Sequence, residues 1–438
     1  MTFPRNHPVD LVITGKAALP LMRGIVQTSI PVSRGLVIAP SPGVQSAPSS
    51  EFTVATSSAF IPTDVQLTDG TRENIDNHLL LRYGDHPFPE AASFAAGETL
   101  LALVSEPSSV PILAIISGGT SAMLAVPITG LSREDKHSVH VGLVHSGRSI
   151  REINLVRRHL STVKGGGCLR NALGSGRSVF LLALSDVPDD AFHDIGGGPF
   201  SPDPTSFAEA EAIARSIEGF PKTALHILEN GCKGTYPETL KPDDPLLAKS
   251  FPPENASSEP FAKNDSAYPC FQQRLLAGSK TALKEAEKII SSNDCFPFHP
   301  LAHPLTGTPE LWCRILETCA PGTLYGASGE TEVAIPKGKT IGRGGRSSTL
   351  VLTAALFLSE RNKTFDLADI ATDGADGNSK RSGGYLSSED LTPKRLMQAR
   401  KALEQFDAAG FLDSIGRSFP GAPGEANFGD LFLVRIRR

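Results

Sequence analysis

Apolar positions along the chain fall into short unbroken runs that end in glycine, serine or acidic turns, and between the runs the pattern changes to helical spacing. The run at residues 112–116 (Ile-Leu-Ala-Ile-Ile) is the clearest. Its lack of alternation is that of a strand buried on both faces of a parallel sheet. It stops at Ser117, Gly118 and Gly119, and a helix-compatible pattern with Thr120 and Ser121 near its start runs on to residue 131. Residues 110–131 therefore read as strand, tight turn and helix. Glycines let backbone N–H groups come close to a ligand, and at a helix start those groups and the helix dipole favour an anion. A strand-to-helix turn without any ligand fits the same letters.

The same grammar recurs. Residues 9–13 form a strand that ends at Thr14, Gly15 and Lys16 before a helical start at Ala17. A lysine at the C-terminal end of a parallel strand sits where open α/β sheets bind ligands, although an ordinary surface lysine is the alternative. Residues 35–39 are another strand, and His86 lies in a proline-rich turn between Asp85 and Pro87, ahead of a helix over 91–104. Ser132 opens helices that run to about residue 160. Arg157, Arg158 and Lys164 then precede the triplet Gly165, Gly166 and Gly167, which reads as a solvated basic face or as an anion site. A strand over 179–184 is followed by Asp186, Asp189 and Asp190, and carboxylates so placed suit a hydrated Mg²⁺. Residues 1–230 thus alternate strand and helix, the signature of a Rossmann-like, doubly wound, mostly parallel sheet. Residues 231–270 read as a linker or excursion. Residues 271–438 read as a second α/β domain, with a helix over 280–290, a strand over 331–335, a basic glycine-rich loop over 338–346, a helix over 350–358 and a strand over 368–371 that ends at Asp373 and Asp376.

Length and charge narrow the classes. A chain of 438 residues allows two domains or three. A net charge of −5 gives no basic field, which argues against nucleic acid as a partner and leaves an acidic ligand dependent on a local cationic pocket. Six cysteines without a C-x-x-C pair, and no leader-like start, fit reduced thiols and a cytoplasmic protein. Residues 107–132 carry no charge, but Ser117-Gly118-Gly119 and the prolines make them a buried strand-helix unit rather than a membrane segment. Gly338, Lys339 and Thr340 imitate the end of a Walker loop, yet Val333 stands where its first glycine is required. No G-x-G-x-x-G follows a strand, and there is no G-x-S-x-G or H-E-x-x-H, which argues against dinucleotide oxidoreductases, α/β hydrolases and zinc proteases.

Several motifs, in order and spread over most of the chain, resemble the glycerate 2-kinase family whose C-terminal half is the MOFRL domain. They are Gly15-Lys16-Ala17-Ala18, Gly84-Asp85-His86-Pro87-Phe88-Pro89, Ser117-Gly118-Gly119-Thr120-Ser121-Ala122, Val156-Arg157-Arg158-His159-Leu160-Ser161 with Lys164-Gly165-Gly166, Ser185-Asp186-Val187, Gly198-Pro199, Pro202-Asp203-Pro204-Thr205, Gly344-Gly345-Arg346 and Thr372-Asp373-Gly374-Ala375-Asp376-Gly377. The resemblance implies two α/β domains with the active site in the cleft between them, and transfer of phosphate from ATP, with Mg²⁺, to the 2-hydroxyl of D-glycerate or a similar small hydroxy acid. It makes Lys16 and Arg346 the principal cations of the site. Ser117, Gly118, Gly119, Thr120 and Ser121 become substrate- or phosphate-binding, joined by Arg157, Lys164, Gly165 and His86. Asp186, Asp189, Asp373 and Asp376 are the candidates to hold Mg²⁺, and Asp186 and Asp373 the candidate bases. The oligomeric state stays open between monomer and homodimer.

The chain departs from the family pattern in its second half. Ser347-Ser348-Thr349 replaces an Asn-x-Glu, Ser379-Lys380-Arg381-Ser382-Gly383 replaces a Thr-Asp-Ala-Ala-Gly, and residues 419–427 replace a TGPTGTN-like stretch. A different hydroxy acid, or a non-catalytic member that binds nucleotide or hydroxy acid as a sensor or partner, is the alternative reading.

Overall fold

The computed structural model describes residues 7–28, 30–41, 73–76, 79–86, 88–187, 189–248, 269–292, 296–335, 341–421 and 427–438. The Walker-like residues 338–340 and half of the proposed linker, residues 249–268, lie outside the described residues, as do residues 422–426 of the departing C-terminal stretch. The chain divides into two compact units: Met1–Leu184 with Phe192–Leu276, and Ser185–Ala191 with Ala277–Arg438.

The first unit carries strands β1 (Val9–Thr14), β2 (Val32–Pro40), β3 (Glu73–Asp76), β4 (Leu79–Gly84), β5 (Ile112–Ile116), β6 (Val179–Leu184) and β7 (Phe271–Ala277), in the order β3-β4-β2-β1-β5-β6-β7. β1 pairs in parallel with both β2 and β5, β2 with β4 and β5 with β6, whereas β3 runs antiparallel on the edge. Every residue of β1 and of β5 is buried, which is why their sequences show no alternation. The chain leaves β1 through α1 (Ala18–Val26) to β2 on one side. It returns from β4 through α2 (Ala91–Ser105) to β5 on the other. The C-terminal ends of β1 and β5 are therefore the topological switch point, where open α/β sheets bind ligands.

One predicted element is much shorter than its pattern suggests. The helix after Gly119, α3, covers only Thr120–Met123, and Leu124 is already extended at φ −120° and ψ 104°. Pro127 disfavours helical backbone at the residue before it and instead bridges to Ser161. Met123, Leu124 and Ala125 are apolar because they are buried as irregular chain. A single turn brings little macrodipole, so any anion site here depends on side chains and individual N–H groups.

The remaining helices of this unit are α4 (Arg133–His145), α5 (Ile150–His159), α6 (Gly167–Gly174), α7 (Phe207–Arg215), α8 (Lys222–Cys232) and α9 (Pro245–Ala248). Ser132, Ser149 and Ser206 cap α4, α5 and α7, the last two as capping boxes with Glu152 and Glu209. The start of the expected linker is packed rather than extended. Leu240 is fully buried, donates to Gly165 O at 3.0 Å and accepts from Asp203 N at 2.7 Å.

In the second unit, β8 (Phe298–Pro300), β9 (Leu324–Gly329), β10 (Phe365–Ala371), β11 (Arg381–Ser387), β12 (Ser418–Pro420) and β13 (Asp430–Ile436) lie in the order β12-β11-β10-β13-β9-β8. All pairs are antiparallel except β8 with β9. The helices are α10 (Ser279–Ser292), α11 (Pro309–Leu316), α12 (Arg346–Glu360), α13 (Pro393–Glu404) and α14 (Ala408–Ser414). Burial alternates residue by residue along β10 and β13, and α12 supplies Leu350, Val351, Ala354 and Leu358 to the core. Residues 331–335, expected as a strand, are irregular; the strand at this point is β9.

The two switch-point turns interlock at a glycine. Gly15 has φ +118°, and a Cβ built there would lie 2.1 Å from Ser117 Oγ and 2.6 Å from Ser117 O. Gly15→Ala is expected to lower the unfolding free energy by roughly 3 kcal/mol in urea titration, from the left-handed conformation and the overlap together. A loss below about 1 kcal/mol would contradict this geometry.

Candidate functional site

At the switch point the turns after β1 and β5 are stitched by three bonds: Lys16 N to Gly118 O at 2.8 Å, Ser117 N to Thr14 O at 3.0 Å, and Ala17 N to Ser117 Oγ at 3.2 Å. The Ser117 hydroxyl, which also donates to Thr14 O at 3.3 Å, thus acts as a clamp, and the Thr120 hydroxyl donates to Ser117 O at 2.8 Å. Ser117 was expected to bind phosphate or substrate through its backbone and Thr120 was a further candidate; both hydroxyls are taken up within the fold. Among the described residues, the N–H groups of Gly118 and Gly119 have no hydrogen-bond acceptor. Gly119, at φ +84°, leaves room for its neighbours: an added Cβ would stand 2.9 Å from Lys16 Cγ and 3.4 Å from His86 Cδ2. His86 is held at the head of α2 by Asp85, whose N–H donates to Ser93 Oγ at 2.8 Å while its carboxylate accepts from Ser93 N at 3.1 Å.

A second glycine zipper brings in the basic segment. Gly165 N donates to Gly197 O at 3.1 Å and Gly166 N to Gly198 O at 2.8 Å. Gly165 was expected to offer its N–H to an anion; that group is used in the zipper, and the residue serves the turn. The missing Cβ of Gly197 makes space for Lys164 (3.1 Å to Cδ) and Ser121 Oγ (3.3 Å), and Ser121 Oγ is buried with no hydrogen-bond partner. Lys164 Nζ donates to Leu124 O, and Arg157 Nη2 donates to Ser121 O at 3.2 Å.

Charge sets this cluster apart. Lys164 and Arg157 are 3% and 9% exposed, and among the described residues neither they nor Lys16 pair with a carboxylate. The next residue on α5 is the contrast: buried Arg158 meets Asp194 at 2.5 Å and Asp203 at 3.1 Å. Burial pushes Arg157 down to about 10, and burial with Arg157 and Lys136 holds Lys164 well below the usual lysine range. Burial, then the charges of Lys16 and Arg157, pushes His86 down to about 4. Lys136 and His140, both buried on α4, belong to the same cluster and were missed in the sequence. The available signal was a lysine and a histidine four apart on the helix stripe that carries Val139 and Leu143.

In the second unit, Arg346 opens α12 with Nη1 2.7 Å from Glu330 Oε2 and Nε 3.4 Å from Asp430 Oδ2. Asp376 accepts from Ser347 N at 3.0 Å and Ser348 N at 3.1 Å, so this expected metal ligand caps the helix that begins at Arg346. Asp373 closes its own turn, accepting from Ala375 N at 3.1 Å. Burial raises the Asp376 carboxyl. It also pushes Asp430 up to about 7, with Arg346 pulling it down and Glu330 and Asp376 adding to the rise, and puts Asp369 well above the usual range. Asp369, Asp430 and Glu330 were likewise missed, although Asp369 and Asp430 occupy core-facing positions of alternating strands. Among the described residues no three His, Cys, Asp or Glu side chains are grouped to hold a metal. Asp186 and Asp189, half-buried after β6, remain the other acidic candidates.

Comparison with known proteins decides the family. Residues 2–229, more than half of the chain, match the domain of unknown function DUF4147, and residues 324–430 match the MOFRL family. The chain belongs to the glycerate 2-kinase family. Membership carries the class of chemistry, phosphoryl transfer to an alcohol. A glycerate 2-kinase of Pyrococcus horikoshii is 29% identical over 80% of this chain and 76% of its own length. A D-glycerate 2-kinase of Thermotoga maritima is 28% identical over 83% and 81%. A putative hydroxypyruvate reductase of Agrobacterium vitis is 29% identical over 80% and 76%. The crystal structure of a glycerate kinase from Thermotoga maritima matches the fold with a TM-score of 0.71 at 21% identity, covering 98% of this chain and 91% of that one. Among the described residues no helix is long and apolar enough to cross a membrane.

The neighbouring arginines of this kinase-family chain differ in their partners, Arg158 pairing with carboxylates and Arg157 donating to a carbonyl. Arg158→Met strands two buried carboxylates and is expected to cost roughly 3–5 kcal/mol in urea unfolding, whereas Arg157→Met leaves stability equal or higher. Equal losses would contradict the assignment. Acid unfolding gives a second check. His86 and His140 sit below their ordinary value of 6.5, at about 4 and about 3, so the unfolded chain protonates first as the pH falls. The two histidines' contribution is full above pH 6.5 and is lost toward pH 4 and 3. His86→Gln and His140→Gln should flatten that decline.

Proposed function

We propose that the chain transfers the terminal phosphoryl group of ATP, with Mg²⁺, to the 2-hydroxyl of D-glycerate or a similar small hydroxy acid. The observation that carries this reading is the set of uncompensated cations Lys16, Arg157 and Lys164 beside the acceptor-free N–H groups of Gly118 and Gly119, at the sheet's switch point. Phosphoryl transfer needs neutralisation of phosphate oxygens and positioning more than covalent help, and the substrate carboxylate adds to the same demand. Lys16 and Arg157 bind and orient the anions, with Lys164 near Arg157, and the glycine N–H groups donate to an oxyanion. His86 is neutral at pH 7 and serves as a hydrogen-bonding group.

Mg²⁺ needs only one or two carboxylates when phosphates complete its shell, and that suits the acids of the second unit better than a cage would. Asp186, Asp189 and Asp373 are the proposed holders, and Mg²⁺ would supply charge neutralisation on the donor phosphates. Asp186 and Asp373 are the proposed acceptors of the hydroxyl proton.

A second reading, a binding member without turnover, is favoured by one observation: Arg346 is already paired with Glu330 and Asp430. The reductase named among the relatives is disfavoured by the single-turn α3, since a dinucleotide pyrophosphate sits on the N-terminus of a full helix behind a glycine fingerprint. Coupled ADP release with ATP and Mg²⁺ across glycerate, lactate and tartrate tests both, with product position read by ³¹P NMR. Turnover giving the 2-phosphate, reduced at least 100-fold in Lys16→Ala and Arg346→Ala, is the expected result. Binding without turnover on any acid would instead establish the second reading.

A further inference from the structure

Arg346, the second-unit cation named in the reading above, is fixed twice. Asp376 caps α12 through Ser347 N and Ser348 N, which places the Arg346 backbone. The guanidinium is gripped on one side: Nη1 donates to Glu330 Oε2 at 2.7 Å, and Nε lies 3.4 Å from Asp430 Oδ2. Among the described residues Nη2 has no hydrogen-bond or ion-pair partner, and the side chain is 35% exposed. Glu330 is itself aligned. Its other oxygen, Oε1, accepts from Asn427 Nδ2 at 2.9 Å, and Asn427 Oδ1 accepts from Gly429 N at 2.8 Å. The same segment is stitched to the turn after β10, because Phe428 N donates to Thr372 Oγ1 at 2.9 Å and Thr372 Oγ1 donates to Gly429 O at 2.7 Å. Hydrogen bonds therefore run from the residue next to Asp373, through the 427–429 segment and Glu330, to the guanidinium.

We propose that Glu330 is a positioning residue for phosphoryl transfer: with Asn427 it holds Arg346 in the orientation that leaves the Nη2 N–H groups for an anion, in fixed register with Asp373. The inference rests on the kinase reading and adds what aims the arginine. A guanidinium presents five donors in a rigid fork, so acceptors on its Nη1 and Nε sides select one plane and leave the remaining nitrogen to a ligand. The pairing of Arg346 with Glu330 and Asp430 then aligns the group rather than occupying it. Glu330 needs both oxygens for this task, one for Arg346 and one for Asn427. A glutamine there has a single acceptor oxygen, and its amide NH₂ would meet the NH₂ of Asn427. Asn427 cannot turn over to relieve that clash, because its oxygen already accepts from Gly429 N.

A double-mutant cycle on the full chain, read by ADP release with ATP, Mg²⁺ and D-glycerate, tests the proposal. Glu330→Gln is expected to lower kcat roughly 100-fold with little change in either KM, because misalignment is felt in the transition state. Asn427→Asp sets two carboxylates face to face and should cost a similar factor. Glu330→Gln combined with Asn427→Asp restores every bond: the amide at 330 donates to the carboxylate at 427 and its carbonyl accepts from Arg346, so kcat should return to within about tenfold of the unaltered chain. Urea unfolding midpoints, measured in parallel, are expected to vary without tracking kcat. Losses that multiply in the double variant, an unchanged kcat in Glu330→Gln, or a kcat that follows the unfolding midpoint overturns the positioning role and leaves the kinase reading standing. No turnover by the unaltered chain overturns that reading, and the proposal with it.

Discussion

Positive charge buried without counter-charge is the constraint on which the first unit depends. Taking a cation out of water costs several kcal/mol unless a partner answers it. Two buried arginines have such a partner: Arg158 has Asp194 and Asp203, and Arg177 has Asp10 at 2.6 Å. Arg157 and Lys164 have only carbonyl oxygens. The surrounding architecture keeps them in place. Two parallel strands about 100 residues apart in sequence are clamped by the Ser117 hydroxyl, and two glycine triplets zip together so closely that a single Cβ at Gly197 would crowd Lys164.

The second unit presents the opposite electrostatic problem. Asp369, Asp376 and Asp430 are buried around one cation, Arg346, and burial raises all three carboxyls. Asp376 is answered by the first N–H groups of α12, and Glu330 ties Arg346 to Asn427, which donates to it at 2.9 Å. Among the described residues neither carboxylate oxygen of Asp369 has a hydrogen-bond partner. That arrangement fixes the orientation of the arginine at the helix start, and the family's expected Asn-x-Glu is replaced there by two serines whose N–H groups are already committed to Asp376.

Much of this was legible in the letters. Unbroken apolar runs located β1 and β5 because those strands are covered on both faces, and β6, which is mostly buried; Ser132 marked the start of α4. Lys16, Arg157, Lys164 and His86 were singled out from glycine punctuation and family motifs, and the fold places them near one another. The misses have physical causes. The stretch after Gly119 is apolar through burial rather than helical periodicity, so one turn looked like a helix. For Ser117, Thr120, Gly165 and Asp376, polar or glycine at a conspicuous turn, the letters do not show which groups the fold already uses as hydrogen-bond partners. Lys136 was hidden because a helix start rich in charge reads as solvated surface, and Asp369 and Asp430 because a strand ending in acids draws attention past the strand itself.

The most direct measurement of the central claim is the melting temperature of the unaltered chain against tripolyphosphate concentration at constant ionic strength. An anion site made of uncompensated buried cations predicts a rise that grows with the logarithm of concentration, as for any ligand that binds only the folded state. A melting temperature that does not respond, or that rises equally with chloride at the same ionic strength, would contradict it.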